Sequence, residues 1–180
     1  MRYFAILLFL FFTFETAFAA TFDKAVWIPY WRKTEGASTT LANINTLTQI
    51  SPFAFELQSD GSIKNALKIE DEPWTILIAE AKKKKIKVYP SILSYPQNET
   101  AKYDFYLLLA QRKRRAAHVA EIRALVKKYK FDGIDIDYEN KSAETRPYFS
   151  AFLTELATAL HKDKKQLICT VEARTPPDSR

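Results

Sequence analysis

The chain has 180 residues, of which 47% are hydrophobic and 27% are charged. This composition excludes an intrinsically disordered chain, because enough apolar side chains are present to bury a core. The single cysteine, Cys169, excludes an intramolecular disulfide, and the net charge of +6 accompanies no nucleic-acid-binding motif, so no nucleic-acid partner is expected.

The first 19 residues have the pattern of a secretory signal peptide. Arg2 precedes the apolar run 3–14, and 17-AFA-19 supplies small residues at the positions that a signal peptidase reads. A membrane anchor is the rival interpretation, but the run has only about a dozen residues, and roughly 20 are needed to cross a bilayer. We therefore expect cleavage of residues 1–19 and no stable membrane insertion afterwards. The remaining chain, 20–180, is predicted to be secreted, periplasmic or associated with the cell wall.

Strand-like and helix-like segments alternate after residue 19. The predicted strands, rich in β-branched and aromatic residues, are 25–31, 50–57, 86–93, 133–139 and 167–173. The predicted helices are 38–47, 73–85, 111–130 and 145–165, whereas 94–105 shows little periodicity and is predicted to be a loop. Five strands separated by helices predict a parallel sheet or barrel with right-handed crossovers.

Basic residues are concentrated in 82-KKKK-85, 112-RKRR-115 and 162-KDKK-165, each beside a predicted helix. Solvated helix ends are the simplest explanation, and cations at a helix C-terminus interact favourably with its macrodipole. Binding to an anionic matrix such as a cell-wall polymer is the functional alternative.

The segment 131-FDGIDIDYEN-140 combines a strand pattern with a row of acids. Because side chains alternate along a strand, Asp135, Asp137 and Glu139 share one face. Parallel strands are covered on both faces, so this row is expected to face a core, where some proton sharing and raised pKa values should follow. Such an arrangement is costly and is typical of a functional site.

Three other interpretations of these acids compete with a catalytic site. A calcium loop that starts at Asp135 would need Gly and an acid where Asn140 and Arg146 stand, so it is rejected. A divalent-metal site would take ligands from several strand ends, and no other strand ends in a set of His or Asp residues. An inward polar network without activity is the remaining alternative. No metal, nucleotide or redox cofactor is expected.

The pattern Asp132-x-x-Asp135-x-Asp137-x-Glu139, with Gly133 after the first acid, resembles the signature of family 18 glycoside hydrolases, the chitinase family. The segments 53–63, 26–31 and 86–93 are also similar in style to strands of that family. At the third strand the chain reads 91-SILS-94, where the family often has two glycines.

This resemblance implies roles for the four acids. Glu139 would be the general acid that protonates the glycosidic oxygen, and Asp137 would orient the N-acetyl group of the substrate as its carbonyl oxygen attacks the anomeric carbon. Asp135 would share a proton with Asp137, and Asp132 would anchor the start of the strand. The substrate would be a β-linked N-acetylated glycan of the chitin or peptidoglycan type, cleaved by retaining hydrolysis.

Aromatic side chains are common platforms for sugar rings. Tyr30, Trp31, Phe55 and Tyr95 lie at or just after predicted strand ends and are candidate substrate contacts. Taken singly, each of them fits packing better than substrate contact, and it is the cluster that indicates a sugar-binding surface.

The resemblance implies an α/β fold, a TIM-type (β/α)8 barrel, here truncated to about five βα units. Residues 20–180 are thus expected to form a partial catalytic barrel, which needs an oligomer to cover its edges if these units are the whole fold. A non-catalytic carbohydrate-binding protein and an inactive fragment of a longer enzyme are the alternative interpretations.

Overall fold

The computed structural model describes residues 22–171. The predicted signal peptide, 1–19, lies outside these residues, as do the last residues of the predicted fifth strand and the tail 175–180. Within residues 22–171, no helix is both long and apolar enough to cross a membrane.

The described residues form strands and helices in alternation. The strands are β1 (Ala25–Ile28), β2 (Gln49–Leu57), β3 (Ile63–Asn65), β4 (Lys87–Val88), β5 (Ser91–Ser94), β6 (Gly133–Tyr138) and β7 (Gln166–Cys169). The α-helices are α1 (Lys33–Ala42), α2 (Trp74–Lys83), α3 (Glu99–Ala110), α4 (Arg112–Lys128) and α5 (Arg146–Lys162). Short 3-10 helices cover Tyr30–Arg32, Ile44–Thr46 and Ala143–Thr145.

One sheet organises the chain. Its neighbours run in the order β1-β2-β5-β6-β7, and every pair along this path is parallel. The short strand β3 is antiparallel to the end of β2, and β4 pairs with the start of β2. Helices connect the successive parallel strands, as in a TIM-type barrel. The predicted α/β architecture of about five βα units is therefore confirmed for the described residues.

The predicted third strand is interrupted. β4 and β5 are separated by Tyr89 and Pro90, although the backbone stays beside its neighbours: Tyr89 N–H donates to the Ile50 carbonyl oxygen at 2.9 Å. Pro90 has no N–H with which to continue the ladder. Its carbonyl oxygen accepts from the Asp135 N–H at 2.9 Å, so this segment still aligns β6.

The first predicted helix, 38–47, is wrong in its position. α1 begins at Lys33 and ends at Ala42, five residues earlier at each end. The Ser and Thr residues that suggested an N-terminus lie inside the helix, where Ser38 and Thr40 hydroxyls donate to carbonyl oxygens four residues earlier at 2.9 and 2.6 Å. Their hydroxyl groups thus form hydrogen bonds within the helix and do not cap its N-terminus.

The segment 94–105 is also wrong as a loop, because α3 begins at Glu99. The Asn98 side chain caps this helix by accepting from the Ala101 N–H at 2.9 Å. The strands at the two ends of the sheet are shorter than predicted. Pro29 follows β1, and a 3-10 helix from Tyr30 replaces the last residues of the predicted strand.

A buried aromatic layer fixes the outer face of β6. Tyr138 is 1% exposed and packs against Phe105 and Phe152, at ring-centroid distances of 5.5 and 5.8 Å. Its hydroxyl lies 2.7 Å from Nε2 of His118, which is 2% exposed on α4. The residue between Asp137 and Glu139 is thus tied to the helical layer.

Burial of His118 should make folding stability depend on pH. Burial lowers the pKa of His118 from 6.5 to about 4, so the unfolded chain takes up this proton first as the pH falls. The stabilisation is complete above about pH 6.5 and is lost as the pH falls toward about 4, a loss of about 3 kcal/mol. Urea unfolding of the native chain and of a His118→Asn variant across this range isolates the component, because the pH-dependent difference in stability between the two should follow the titration of His118.

Candidate active site

The acidic row lies on the inner face of the sheet and runs toward the carboxyl end of β6. All residues of β6 are buried, and Asp135 and Asp137 are each 2% exposed. Glu139 follows at the carboxyl end of the strand, where its N–H donates to the Ser94 carbonyl oxygen at 2.8 Å. The expected alternation is therefore present, and three carboxylates share the face opposite Tyr138.

Asp132 lies at the other end of β6. Its carboxylate accepts from the Lys87 ammonium at 3.1 Å and from the Val88 N–H at 3.0 Å. These contacts tie the start of β6 to β4 and place Asp132 away from the other acids. This geometry agrees with an anchoring role for Asp132.

Asp135 is held by hydroxyl groups from two neighbouring strands. Ser91 donates to its Oδ2 at 2.7 Å, and the Thr170 hydroxyl donates to its Oδ1 at 3.0 Å. The Trp27 indole N–H in turn donates to the Ser91 hydroxyl at 2.9 Å. A chain of hydrogen bonds from β1 through β5 thus fixes the position of the Asp135 carboxyl group.

Asp137 and Glu139 interact directly at the carboxyl end of the row. Burial raises the pKa of Asp137 to about 6, with further contributions from the negative charges of Glu139 and Asp135 and from a hydrogen bond with Glu139. The Lys141 charge acts in the opposite direction. Asp137 therefore keeps its proton to a higher pH than a solvated Asp does.

One atom of this pair has no partner among the described residues. Asp137 Oδ1 is buried and accepts no hydrogen bond. A buried carboxylate oxygen without a donor is costly, and it is an acceptor ready for a donor from a bound molecule.

Removing the Asp137 carboxylate should stabilise the fold in a pH-dependent way. Since the folded-state pKa is raised, the contribution of Asp137 to stability falls as the pH rises from about 4 to about 6, opposite in sign to that of His118. Asp137→Asn should therefore be no more stable than the native chain below about pH 4 and more stable by about 1–3 kcal/mol above pH 6. Denaturant unfolding at several pH values checks this, and a constant difference across the range would contradict it.

Exposed aromatic rings border the site on the β1 side. Tyr30 and Trp31 are 48% and 62% exposed and meet edge to face at 4.9 Å between ring centroids. Trp31 also lies 6.3 Å from Trp27, which contacts Phe53 at 5.1 Å. Tyr30 and Trp31, two of the four predicted substrate contacts, therefore belong to an aromatic cluster. Trp27 connects this cluster to Asp135 through the Ser91 hydroxyl group.

Phe55 does not belong to the site. It is 1% exposed and packs outward against Tyr129 and Phe131, at ring-centroid distances of 6.0 and 6.3 Å. The register between β2 and β5 shifts between Phe53 and Phe55, so the two side chains leave opposite faces although they are two residues apart. This irregularity overturns the prediction that Phe55 contacts a substrate.

Tyr95 follows β5 at the same end of the sheet and is 52% exposed. It borders a cavity of about 330 Å³ between the ends of β2 and β5 and the helix α3. No described contact joins the Tyr95 ring to the three carboxylates, so the structure places it beside the site without bringing it into the acidic cluster.

Four side chains of the site were missed from the sequence: Trp27, Phe53, Ser91 and Thr170. Trp27 and Ser91 lie on predicted strands, and inward orientation of both would have followed from pairing each strand with its neighbour. The irregularity in β2 breaks the alternation of side chains, so the strand pattern did not predict that Phe53 belongs to the site. Thr170 lies just beyond β7, where the predicted strand gave no indication of a site residue.

No metal-binding cluster of three or more His, Cys, Asp or Glu residues occurs within residues 22–171.

Comparisons with known proteins bear on the family and the fold of the chain. The family model described as glycosyl hydrolases family 18 matches residues 26–179. A curated relative, the uncharacterized glycosylase YvbX of Bacillus subtilis (strain 168), is 31% identical over 144 residues, covering 76% of this chain and 41% of the relative. The chain thus spans about four-tenths of the length of that relative.

Solved structures show the same fold. A class V chitinase from Pseudomonas fluorescens Pf-5 aligns with a TM-score of 0.70 and 22% identity, over 81% of this chain and 43% of that one. The spore cortex-lytic enzyme SleL of Bacillus megaterium QM B1551 aligns with a TM-score of 0.68 and 19% identity, over 88% of this chain and 36% of that one.

Proposed function

The chain belongs to glycosyl hydrolase family 18, and on that basis we propose that it cleaves β-linked N-acetylglucosamine-containing glycans of the chitin or peptidoglycan type. The reaction would be substrate-assisted, retaining hydrolysis at Asp137 and Glu139. The pattern of residues 1–19 supports a further part of the proposal, that the protein acts outside the cytoplasm on an extracellular polymer.

The unpartnered Oδ1 of Asp137 is the observation that carries this proposal. A 2-acetamido group bears an N–H donor next to a carbonyl oxygen. Donation of that N–H to Asp137 would satisfy the buried acceptor and hold the carbonyl oxygen close to the anomeric carbon. A sugar with a 2-hydroxyl or a free amine lacks the carbonyl nucleophile, so the site would select acetylated rings.

The proposed first step begins with Glu139. Its carboxyl group donates a proton to the glycosidic oxygen, the bond between that oxygen and the anomeric carbon breaks, and the acetamido carbonyl oxygen bonds to the same carbon. Asp137 stabilises the positive charge that develops on the acetamido group. The buried negative charge of Asp135, two residues away and held by Ser91, would strengthen this stabilisation.

In the second step, water attacks the anomeric carbon and the bond to the acetamido oxygen breaks. Glu139, now ionised, accepts a proton from this water and returns to its acid form. Two displacements at one carbon leave its configuration unchanged. The aromatic side chains of Tyr30 and Trp31 are the proposed platforms for neighbouring sugar rings, because both are exposed beside the acidic cluster.

A pair of matched substrates tests the proposal. The purified chain is incubated with an N-acetylglucosamine oligosaccharide and with its de-N-acetylated counterpart, and products are separated by chromatography. We expect products only from the acetylated oligosaccharide. Equal cleavage of both substrates would contradict substrate assistance. Absence of products from a chain that circular dichroism shows to be folded would contradict hydrolysis and favour a sugar-binding role.

A further inference from the structure

Three helices of the barrel end in the same unusual way. α2, α4 and α5 are each followed by a lysine with a left-handed backbone: Lys85, Lys130 and Lys164, with φ of 61°, 55° and 57°. In each case the lysine N–H donates to a carbonyl oxygen three residues earlier, at 3.1, 3.2 and 2.9 Å. The N–H of the following residue donates to a carbonyl oxygen five residues earlier, at 2.9, 3.1 and 2.9 Å. These bonds define a Schellman motif at every one of the three ends.

Lysine is a poor choice for this conformation. The left-handed position of the motif is usually occupied by Gly, since a Cβ atom makes this backbone unfavourable. A cation near a helix C-terminus recovers part of this cost through the macrodipole, but this benefit falls off within the last turn. The last turns of α2, α4 and α5 already contain basic residues, so helix stability does not require a further lysine in the Gly position.

The three lysines lie on one surface. Each precedes the start of a parallel strand, β4, β6 or β7, and the amino ends of parallel strands meet on one side of the sheet. This side is opposite the carboxyl end of β6, where Glu139 lies. We call it the basic face. Its exposed lysines are Lys24, Lys82, Lys83, Lys84, Lys85, Lys87, Lys127, Lys128, Lys130, Lys162 and Lys164.

Acidic residues neutralise only part of this face. The ion pairs on this face join Asp132 to Lys87 at 3.1 Å, Asp163 to Lys127 at 3.6 Å, Glu70 to Lys128 at 3.7 Å, and Glu80 to both Lys83 and Lys84 at 3.7 and 3.6 Å. Several other lysines of this face form ion pairs. Within residues 22–171, Lys85, Lys130 and Lys164 form none. The three lysines in left-handed positions therefore present uncompensated positive charge.

We propose that the basic face docks on the surface of an anionic phospholipid bilayer. Lysines, as strongly hydrated point charges on flexible stems, suit a diffuse layer of headgroup phosphates better than a single shaped anion. The described chain begins at Phe22, which is 82% exposed and lies just before β1 on this same side.

This orientation has a consequence for the site. With the basic face against the bilayer, Glu139 and the aromatic residues Tyr30 and Trp31 would face away from the membrane, toward any polymer above it. Contact with the bilayer would be peripheral and would require no inserted helix. The basic face lies opposite the acids, so membrane binding can be present or absent independently of hydrolysis.

Vesicle binding by the full chain tests the proposal. Vesicles of phosphatidylcholine, with and without phosphatidylglycerol, are sedimented with the native chain and with Lys85→Gly/Lys130→Gly/Lys164→Gly. We expect the native chain to bind the anionic vesicles more tightly, in a salt-sensitive manner. At about fivefold per lysine, the triple variant should bind them roughly 100-fold more weakly. It should keep its thermal stability, because Gly suits the three left-handed positions.

A matched variant removes three charges from the opposite side. Lys33, Arg112 and Lys113 are exposed residues at the first turns of α1 and α4, and changing all three to Gln should leave vesicle binding nearly unchanged. Equal losses in both triple variants would overturn the proposal, since net charge alone would explain them. Tight binding to a soluble phosphodiester polymer with none to anionic vesicles would also overturn it, in favour of a wall polymer.

Discussion

Glu139→Gln should reduce glycan hydrolysis by about 10²- to 10⁴-fold while leaving the fold intact. Gln keeps the size and hydrogen-bonding capacity of Glu139 but has no proton to give to the glycosidic oxygen. Its side chain is only half-buried at the end of β6, so the substitution should cost little stability. The measurement is the initial rate of product release from an N-acetylglucosamine oligosaccharide.

A second readout separates lost chemistry from lost structure. The charge of Glu139 is one cause of the raised pKa of Asp137, so in the variant this pKa should fall from about 6 toward its ordinary range. Carboxyl-carbon NMR titration would detect that change in a folded protein. Glu144→Gln, which alters an exposed acid in the loop after β6, is the matched control and should retain activity. Equal activity in the Glu139→Gln variant and the native chain would remove Glu139 from the mechanism.

Gly133→Ala should destabilise the fold severely, by about 3 kcal/mol or more. A Cβ atom at this position would lie 2.1 Å from the carbonyl oxygen of Gln166, a backbone atom of the neighbouring strand. Neither strand can yield without losing the pairing of Gly133 with Gln166 and of Ile134 with Leu167. Urea unfolding monitored by circular dichroism measures the loss.

Gly36→Ala provides the matched control. There the added Cβ would lie 2.7 Å from Cγ2 of Ile28, so this side chain must shift, but the close contacts are with side-chain and not backbone atoms, and Ala also favours the helix α1. A much smaller loss is therefore expected than at Gly133. Since β7 leads to Thr170, a donor to Asp135, separation of β6 from β7 should also disturb the acids. Comparable losses in the two variants would contradict a specific need for Gly between β6 and β7.

The centre of the site could be predicted from the sequence because it lies on one regular strand. The alternation of 133–139 correctly placed Asp135 and Asp137 on the face opposite Tyr138. The same rule failed on β2, where a local irregularity between Phe53 and Phe55 changes which face each side chain leaves. Such an irregularity depends on the neighbouring strand, and the local sequence gives no sign of it.

Helix positions failed for a different reason. Ser38 and Thr40 are common N-cap residue types, and only the folded chain shows that their hydroxyls bond back into α1. The helix α3 was missed although Asn98 and Glu99 are a good start signal, because its surface carries several aromatic residues that obscure a helical period. Contacts between distant segments, such as Thr170 with Asp135, were beyond any local pattern.

The central claim is that an acetamido group of the substrate attacks its own anomeric carbon at Asp137 and Glu139. Proton NMR during hydrolysis of an N-acetylglucosamine oligosaccharide tests it most directly, because the first anomer can be observed before mutarotation. The account predicts that the β anomer appears first and that Glu139→Gln yields neither anomer. Initial release of the α anomer, or no product from a folded native chain, would contradict it.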